Sequence, residues 1–299
     1  MKPLFAMILS FLLSSCSFNK LFYRPDKLPG NMGTVTIYDD GKADTMLLHF
    51  EGAGHTAIFT DTKDNPKQLG YSITTVHIPS VEGNKLYGWL LTPNNFPGPK
   101  ITLLFLHGNA GNVLSQVGFA VPLVKRGFQV LLVDYSGYGF SEGKPTRKNM
   151  LADGNSALRY LHSMKEAQNT RLLIYGQSIG GQLTYPVATA NEQILDGIVT
   201  EGAPSSHKDI AAHYSGIFGF LARLLVKEEY SAFKSVRKFH KPVLVIHSAE
   251  DETVPFAQGE KIYRNANSPK SFYEIRYGHI LGPLHYVDSI SYKIRAMVR

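Results

Sequence analysis

Apolar segments of strand length alternate with segments of helical length from residue 101 onward. The strand-length segments are Ile101–Leu106, Gln129–Asp134, Leu172–Tyr175, Gly197–Thr200, Val243–His247 and Phe272–Ile275. The helical segments lie near 113–126, 148–164, 179–190, 256–266 and 284–297. Strands that are apolar on both faces need a cover on both faces, and helical connections favour parallel pairing. The sequence therefore predicts an α/β protein with a mostly parallel sheet between two helical layers.

A hairpin precedes this alternation. The segments Ser72–Ile78 and Lys85–Leu91 flank a turn at 82–84, which predicts antiparallel strands at one edge of the sheet. The chain has 299 residues, of which 43% are hydrophobic and 18% charged, a balance typical of a folded domain and not of a disordered chain. We expect one domain over residues 71–299.

One connection is much longer than a single helix requires. More than forty residues separate Thr200 from Val243, and Ile217–Val226 within them is strongly apolar. Two interpretations follow: a small cap inserted over a functional site at approximately 203–240, or a helix packed in the core.

The N-terminus has the pattern of an export signal. Met1–Pro3 carries a positive charge, Leu4–Leu13 is apolar, and small residues precede Cys16. The apolar run is shorter than the roughly 20 residues that span a bilayer. Leu13-Ser14-Ser15-Cys16 resembles the lipobox of bacterial lipoproteins, which implies cleavage after residue 15 and a lipid on Cys16. An ordinary signal peptide with an incidental cysteine, or a buried N-terminal helix, are the alternatives.

The lipoprotein resemblance implies an exported protein anchored in a bacterial cell envelope. Ser17 gives no acidic signal for inner-membrane retention, which favours the outer membrane. Residues 16–34 contain prolines and glycines without a sustained period, and we expect a tether there. Residues 35–70 form an N-terminal extension to which the sequence assigns no function, although 46–50 has the pattern of a strand.

Charge and cysteine content exclude several classes of site. The formal net charge is +7, but the basic residues are scattered, so we expect no nucleic-acid partner. Cys16 is the single cysteine of the chain, which excludes an intramolecular disulfide and a cysteine-based metal site. We expect neither a metal nor a cofactor.

A serine motif lies between a strand and a helix. Gly176-Gln177-Ser178-Ile179-Gly180 follows Leu172–Tyr175 directly and precedes the helical segment at 179–190. In this strand–turn–helix context, G-x-S-x-G holds a nucleophilic serine on a cramped turn, and residues without Cβ atoms relieve the resulting clashes. The motif predicts that Ser178 is a nucleophile.

A serine hydroxyl needs a base, and the base needs an orienting acid. In proteins with this motif the acid and then the histidine follow the serine in the chain. His279 comes directly after the last strand and is the preferred base; His285, at the start of the final helix, is the alternative. Carboxylates that follow Val243–His247 are candidates for the acid: Glu250, Asp251 and Glu252. Glu201, after the preceding strand, is a further alternative.

The oxyanion of an acyl-transfer reaction needs hydrogen-bond donors. The motif places one donor on the residue after the nucleophile and another after an earlier strand. We therefore expect the main-chain N–H groups of Ile179 and Asn109 to form the oxyanion hole, with Ala110 as the neighbouring alternative. His107 and Asn112 are expected to fix this loop by hydrogen bonds.

Taken together, these motifs resemble those of α/β-hydrolase-fold serine hydrolases from about residue 71 to the C-terminus. The resemblance is carried by H-G-N-A-G-N at 107–112, D-Y-S-G-Y-G-F-S-E-G at 134–143, G-Q-S-I-G-G at 176–181 and D-E-T-V-P at 251–255. It implies an eight-stranded sheet, selects Asp251 as the acid, and gives Asp134 and the 135–143 loop a role in shaping the site.

The branch with these motifs includes membrane-associated hydrolases of acyl esters and thioesters. The resemblance therefore implies a Ser178–His279–Asp251 acyl-enzyme mechanism on small-molecule or lipid acyl substrates at a membrane. A serine peptidase and a non-catalytic scaffold lipoprotein are the alternatives.

Overall fold

The computed structural model describes residues 22–28, 32–39, 42–61, 63, 65–94, 96 and 100–299. Cys16 and the expected signal peptide lie outside these residues. The strands are β1 (Arg24–Pro25), β2 (Met32–Asp39), β3 (Lys42–Glu51), β4 (Thr56–Thr60), β5 (Tyr71–Pro79), β6 (Lys85–Pro93), β7 (Ile101–Leu106), β8 (Ala110–Gly111), β9 (Gln129–Val133), β10 (Arg171–Gln177), β11 (Gly197–Glu201), β12 (Val243–Ser248) and β13 (Lys270–Ile275).

Helices connect most of these strands. They are α1 (Val113–Lys125), α2 (Arg147–Ser163), α3 (Ile179–Ala190), α4 (His207–Tyr214), α5 (Gly219–Leu225), α6 (Ala232–Ser235), α7 (Phe256–Asn265), α8 (Gly282–His285) and α9 (Val287–Met297). Among the residues that the structure describes, no helix combines the length and the apolar composition needed to span a bilayer.

Eight strands form the central sheet, in the order β13-β12-β11-β10-β7-β9-β6-β5. Strands β9, β7, β10, β11, β12 and β13 are parallel to one another, and the β5–β6 hairpin adds antiparallel pairing at one edge. The predicted α/β-hydrolase sheet is therefore confirmed. Because parallel strands share a direction, the loops after β7, β10, β11, β12 and β13 all leave from the same edge.

Helices cover both faces of this sheet, as the apolar strands require. Leu104 and Leu106 of β7 belong to one buried cluster, together with side chains of α2 and α3. Leu103 and Phe105, whose side chains point to the other face, join a second cluster with side chains of α1 and α9. The alternation along a single strand thus anchors both helical layers, and the sheet becomes a rigid support for the loops at its edge.

A smaller antiparallel sheet, ordered β2-β3-β4, occupies most of the expected N-terminal extension. Its strand β3 contains the 46–50 segment that the sequence predicted as a strand. Met46, Leu48 and Phe59 are buried in the same cluster as Trp89 of the central sheet. Upstream, β1 pairs in parallel with β8, which brings residues 24–25 beside 110–111 at the edge of the central sheet where the parallel strands end.

The long connection between β11 and β12 contains α4, α5 and α6. Helix α4 buries His207, Asp209, Ile210 and Ala211 against the domain. Helix α5, by contrast, has no buried residue. The apolar segment of this insertion is therefore an exposed surface element and not a core helix.

Candidate active site

Ser178 lies on the sharp turn between β10 and α3. Its backbone adopts φ 53° and ψ −123°, in the left-handed half of the map, which non-glycine residues seldom adopt. The turn is so cramped that a Cβ atom at Gly180 would lie 2.2 Å from the carbonyl oxygen of Leu106. A Cβ at Gly176 would lie 2.1 Å from Thr184 Oγ1. The two glycines of the motif are therefore steric requirements of the turn that presents Ser178.

The His279 imidazole lies between the serine and a carboxylate. Its Nε2 is 2.9 Å from Ser178 Oγ, and its Nδ1 is 2.7 Å from Asp251 Oδ2. His279 is on the loop between β13 and α8, and its side chain is 18% exposed. Three residues that are distant in the sequence are thus joined in one hydrogen-bonded series at the carboxyl edge of the sheet.

Asp251 is held firmly in the turn after β12. Its Oδ1 accepts hydrogen bonds from the main-chain N–H groups of Thr253 (2.9 Å) and Val254 (2.8 Å), and its side chain is 1% exposed. Burial alone would raise the pKa of Asp251. The hydrogen bond and charge of His279, with the Val254 N–H, outweigh burial and lower that pKa below its ordinary value. Asp251 is therefore ionised at neutral pH.

The alternative histidine and the neighbouring acids have other positions. The His285 ring stacks on Tyr277, with ring centroids 3.7 Å apart. Glu250 and Glu252 are exposed on the turn. The geometry thus favours His279 and Asp251 over these three.

Glu201, the outside alternative for the acid, is buried and binds the loop that carries His279. Its carboxylate accepts hydrogen bonds from the Tyr175 hydroxyl (2.8 Å), Gln177 Nε2 (2.9 Å) and the main-chain N–H of Gly282 (2.6 Å). Burial raises the pKa of Glu201, although these three donors oppose the rise. Gln177 also donates to the carbonyl of Ile280 at 3.1 Å. Glu201 therefore ties the 279–282 loop to the nucleophile strand.

Asn109 and Ile179, the expected oxyanion residues, line the same cavity as Ser178. The Tyr138 hydroxyl donates to the carbonyl of Asn109 at 2.8 Å, and Asn109 Oδ1 accepts from the main-chain N–H of Arg24 at 2.9 Å. The loop after β7 is thus held from two sides. The alternative, Ala110, lies in β8, where it pairs with Arg24.

Polar groups behind this loop are buried. His107 is 0% exposed, its Nδ1 donates to the carbonyl of Gly108 at 2.8 Å, and burial lowers its pKa to about 4. The Asn112 side chain caps the N-terminus of α1. Asp134 Oδ1 accepts from the Val113 N–H at 2.8 Å, and burial raises the pKa of Asp134 well above its ordinary value. These contacts are those of residues that fix the loop.

A cavity of about 410 Å³ opens beside Ser178. Apolar side chains form much of its wall, and they come from elements far apart in the sequence: Phe22, Ile179, Pro204, Ile210, Ala211 and Val254. Gln182 and His207 contribute a polar region, in which Gln182 Nε2 lies 2.8 Å from His207 Nδ1. Burial, followed by the charge of Arg147, lowers the pKa of His207 to about 3, so its ring is neutral.

Apart from Ile179, which was expected in the oxyanion hole, sequence reasoning did not identify these cavity residues. Phe22 and Arg24 reach the site because β1 pairs with β8, and no local sequence pattern predicts that pairing. Across the described part of the chain, no three His, Cys, Asp or Glu side chains are grouped closely enough to hold a metal ion. The chemistry that this arrangement can support is nucleophilic attack by an activated serine on a carbonyl group next to an apolar cavity.

Comparisons with known proteins agree with this architecture. The model of a family described as alpha/beta hydrolase fold matches residues 101–222. An uncharacterised protein, YfhR of Salmonella typhi, is 31% identical over 203 residues, which cover 63% of this chain and 68% of that protein. The chain belongs to the α/β-hydrolase family.

Other members of the α/β-hydrolase family are similar over shorter or more divergent stretches. Human alpha/beta hydrolase domain-containing protein 17B is 33% identical over 180 residues, 58% of either chain. Among solved structures, the Pyrococcus furiosus esterase Pf2001 superposes with a TM-score of 0.65 over 92% of this chain and 97% of that one, at 17% identity. This structural likeness shows the α/β-hydrolase fold.

Proposed function

We propose that the protein is a serine hydrolase that cleaves carboxylic ester or thioester bonds. The observation that carries the proposal is the hydrogen-bonded series from Ser178 through His279 to Asp251, which opens into a largely apolar cavity. Membership of the α/β-hydrolase family supports hydrolase activity, and the fold is shared with an esterase.

The mechanism has two steps. Ser178 Oγ attacks the carbonyl carbon while His279 Nε2 takes the hydroxyl proton, and the N–H groups of Ile179 and Asn109 stabilise the oxyanion. The bond to the leaving alcohol or thiol then breaks, and His279 gives its proton to the leaving group. Water attacks the acyl-serine and loses a proton to His279; the bond between the acyl carbon and Ser178 Oγ then breaks, His279 gives that proton to Oγ, and the carboxylic acid is released. Asp251 orients the imidazole and stabilises its charged form throughout.

The substrate class follows from the cavity wall. Apolar side chains around Ser178 favour burial of an acyl chain, at about 25 cal/mol per Å² of apolar surface removed from water. Nothing in this mechanism requires a metal or a cofactor. We therefore propose acyl esters or thioesters, of small-molecule or lipid type, as substrates.

The proposal includes a location. The Leu13–Cys16 motif predicts export and a lipid on Cys16, which would hold the enzyme on the envelope membrane where acyl lipids occur. Metabolic labelling with a palmitate analogue tests this in cells that make the full chain. Label should be incorporated by the parent and by Ser178→Ala, and lost in Cys16→Ser. Equal label in Cys16→Ser would contradict the lipoprotein assignment.

Activity-based labelling tests the nucleophile. A fluorophosphonate probe should label the parent chain and the control Ser163→Ala, which alters an exposed serine at the end of α2. The Ser178→Ala variant should remain unlabelled, and its kcat on p-nitrophenyl esters should fall by about 10⁶-fold. A parent chain that takes no label would favour a non-catalytic scaffold.

A substrate series then tests the bond and acyl preference. We expect kcat/KM to rise from p-nitrophenyl acetate to p-nitrophenyl octanoate as the cavity fills. Aminoacyl p-nitroanilides should be hydrolysed far more slowly. Faster turnover of the anilides than of every ester would make the protein a peptidase.

A further inference from the structure

The long insertion presents an apolar patch, defined as Ile217, Phe218, Phe220, Leu221, Leu224 and Leu225. Ile217 is 92% exposed, Phe220 72% and Leu224 65%. Large apolar side chains that are exposed elsewhere in the described residues, such as Val81 and Tyr292, come from separate segments. A contiguous exposed patch of this kind marks an interaction surface.

The patch lies next to the mouth of the cavity. Ile210 and Ala211 of α4 form part of the cavity wall, and Tyr214 at the end of α4 both lines the cavity and is exposed. The Tyr214 hydroxyl donates to the carbonyl of Thr253 at 2.8 Å, which holds the end of α4 beside the loop that carries Asp251. The patch follows directly in the chain, so a molecule bound there would lie at the entrance to Ser178.

Helix α5 is fixed in this exposed position. A hydrogen-bonded ion pair joins Arg223 to Asp209 of α4. A Cβ atom at Gly219 would lie 2.8 Å from the carbonyl oxygen of Ala212, so the two helices are in close contact. The patch is therefore a feature of the folded surface, supported from beneath by α4.

The charges around the patch indicate the kind of partner. Residues 210–227 contain no Asp or Glu, and they include Arg223, which pairs with Asp209, and Lys227. Lys227 is 81% exposed and lies 3.3 Å from Glu229, just beyond the patch, and the chain as a whole carries a net charge of +7. The apolar surface itself therefore carries no negative charge, and the net positive charge of the chain favours attraction to the headgroups of an anionic bilayer.

We propose that the apolar patch inserts into the surface of an anionic lipid bilayer and directs the cavity mouth at the acyl chains. The use of this contact for substrate entry rests on the proposed function, whereas the contact itself does not. It would be a second membrane attachment, independent of the lipid expected on Cys16, and would fix the orientation of the cavity mouth relative to the bilayer.

Vesicle binding tests the contact. Every protein is the full chain carrying Cys16→Ser, so that acylation cannot contribute. The patch variant is Phe218→Ser/Phe220→Ser/Leu224→Ser, and the matched control is Val81→Ser/Tyr292→Ser, whose wild-type side chains are 64% and 65% exposed. On phosphatidylethanolamine–phosphatidylglycerol vesicles, the patch variant should partition about 100-fold or more weakly, since each buried apolar side chain contributes about tenfold. The control should partition like the parent.

A fluorescent reporter locates the inserted surface. The chain has one tryptophan, Trp89, which is 0% exposed and therefore insensitive to added lipid. In a Phe220→Trp variant, vesicles should shift the emission to shorter wavelength, and brominated acyl chains should quench it. An unshifted spectrum, or equal partitioning of patch variant and parent, would overturn the proposal. Dimers that the patch variant abolishes, without lipid binding by the parent, would overturn it in favour of a second copy of this chain.

A soluble short-chain ester separates this proposal from the proposed function. The patch residues do not line the cavity, so turnover of p-nitrophenyl acetate should be the same in the parent and the patch variant. Vesicle binding without any ester turnover would remove the enzyme proposal and leave the lipid contact standing. Ester turnover without patch-dependent vesicle binding would remove the lipid contact and leave the enzyme proposal standing.

Discussion

The Asp251→Asn substitution gives the sharpest test of the proposed mechanism, because the surrounding hydrogen bonds dictate how an amide would orient. Two main-chain N–H groups, those of Thr253 and Val254, donate to Oδ1 at 2.9 and 2.8 Å. An asparagine must keep its carbonyl oxygen there, since its NH₂ group cannot accept. The NH₂ group is then forced toward His279 Nδ1, at the position where Asp251 Oδ2 now lies 2.7 Å away.

This orientation selects the wrong tautomer of the histidine. Facing a donor, Nδ1 must accept, so the ring proton moves to Nε2, which lies 2.9 Å from Ser178 Oγ. An Nε2 that carries a proton cannot take another from the serine hydroxyl. We expect kcat to fall about 10⁴-fold, equivalent to about 5.5 kcal/mol of transition-state stabilisation, with little change in KM. Both main-chain hydrogen bonds persist, so the fold should remain intact.

Steady-state hydrolysis of p-nitrophenyl butyrate measures this loss. Glu250→Gln and Glu252→Gln are matched controls, because they neutralise exposed carboxylates on the same turn, and each should stay within about twofold of the parent. Circular dichroism checks that the Asp251→Asn variant is folded. A folded variant that retains more than about a tenth of the parent kcat would refute the assignment of the orienting acid.

Further predictions concern the framework of the site. In Gly180→Ala, the new Cβ would meet main-chain carbonyls at 2.2 and 2.4 Å, so calorimetry should record a loss of about 1–3 kcal/mol and ester turnover should fall. In Glu201→Gln, the new NH₂ group would face at least one of the three donors that the carboxylate now accepts from, and two donors cannot bond to each other. Urea unfolding should show a free energy of unfolding lower by about 1–3 kcal/mol, and kcat should fall because the 279–282 loop is less firmly held. The pKa values of His107 and His207 fall from 6.5 to about 4 and about 3 in the folded state. The unfolded chain therefore binds these protons at a higher pH than the folded chain, so the free energy of unfolding falls as the pH drops below 6.5. At pH 5 each ring lowers the free energy of unfolding by about 2 kcal/mol relative to neutral pH. In urea titrations, His207→Gln should halve this combined loss.

Sequence patterns predicted the central sheet well, for a physical reason. A strand buried on both faces is apolar throughout, so a short stretch of sequence is enough to reveal it. In Ile101–Leu106, for example, every residue is buried. The turn at Ser178 also has a local signal, because the two positions that must lack a Cβ atom, Gly176 and Gly180, lie within two residues of the serine. Once parallel strands are assigned, their carboxyl ends must share an edge, so Asp251 and His279 could be expected near Ser178 before any coordinates.

The contacts that depend on tertiary pairing could not be predicted. Glu201 and Asp251 both follow buried strands, and both are carboxylates at the same edge of the sheet. The distinction between them depends on which atoms of the 279–282 loop reach each one: the imidazole reaches Asp251, and the Gly282 N–H reaches Glu201. Phe22 lies in the cavity wall, and no sequence pattern predicted this position, because it follows from the pairing of the two residues of β1 with β8.

The insertion shows why composition alone left two interpretations open. An apolar helical segment is stabilised by burial, and the residues that bury it need not belong to the same chain. Helix α4 finds its partner within the domain and forms a wall of the cavity, whereas α5 leaves its apolar side chains in water. Because these two tasks fall on different helices, substitutions in α5 should lower turnover of long-chain esters embedded in vesicles and spare turnover of soluble esters. Substitutions of Ile210 in α4 should lower both, and this contrast would separate delivery of the substrate from its cleavage.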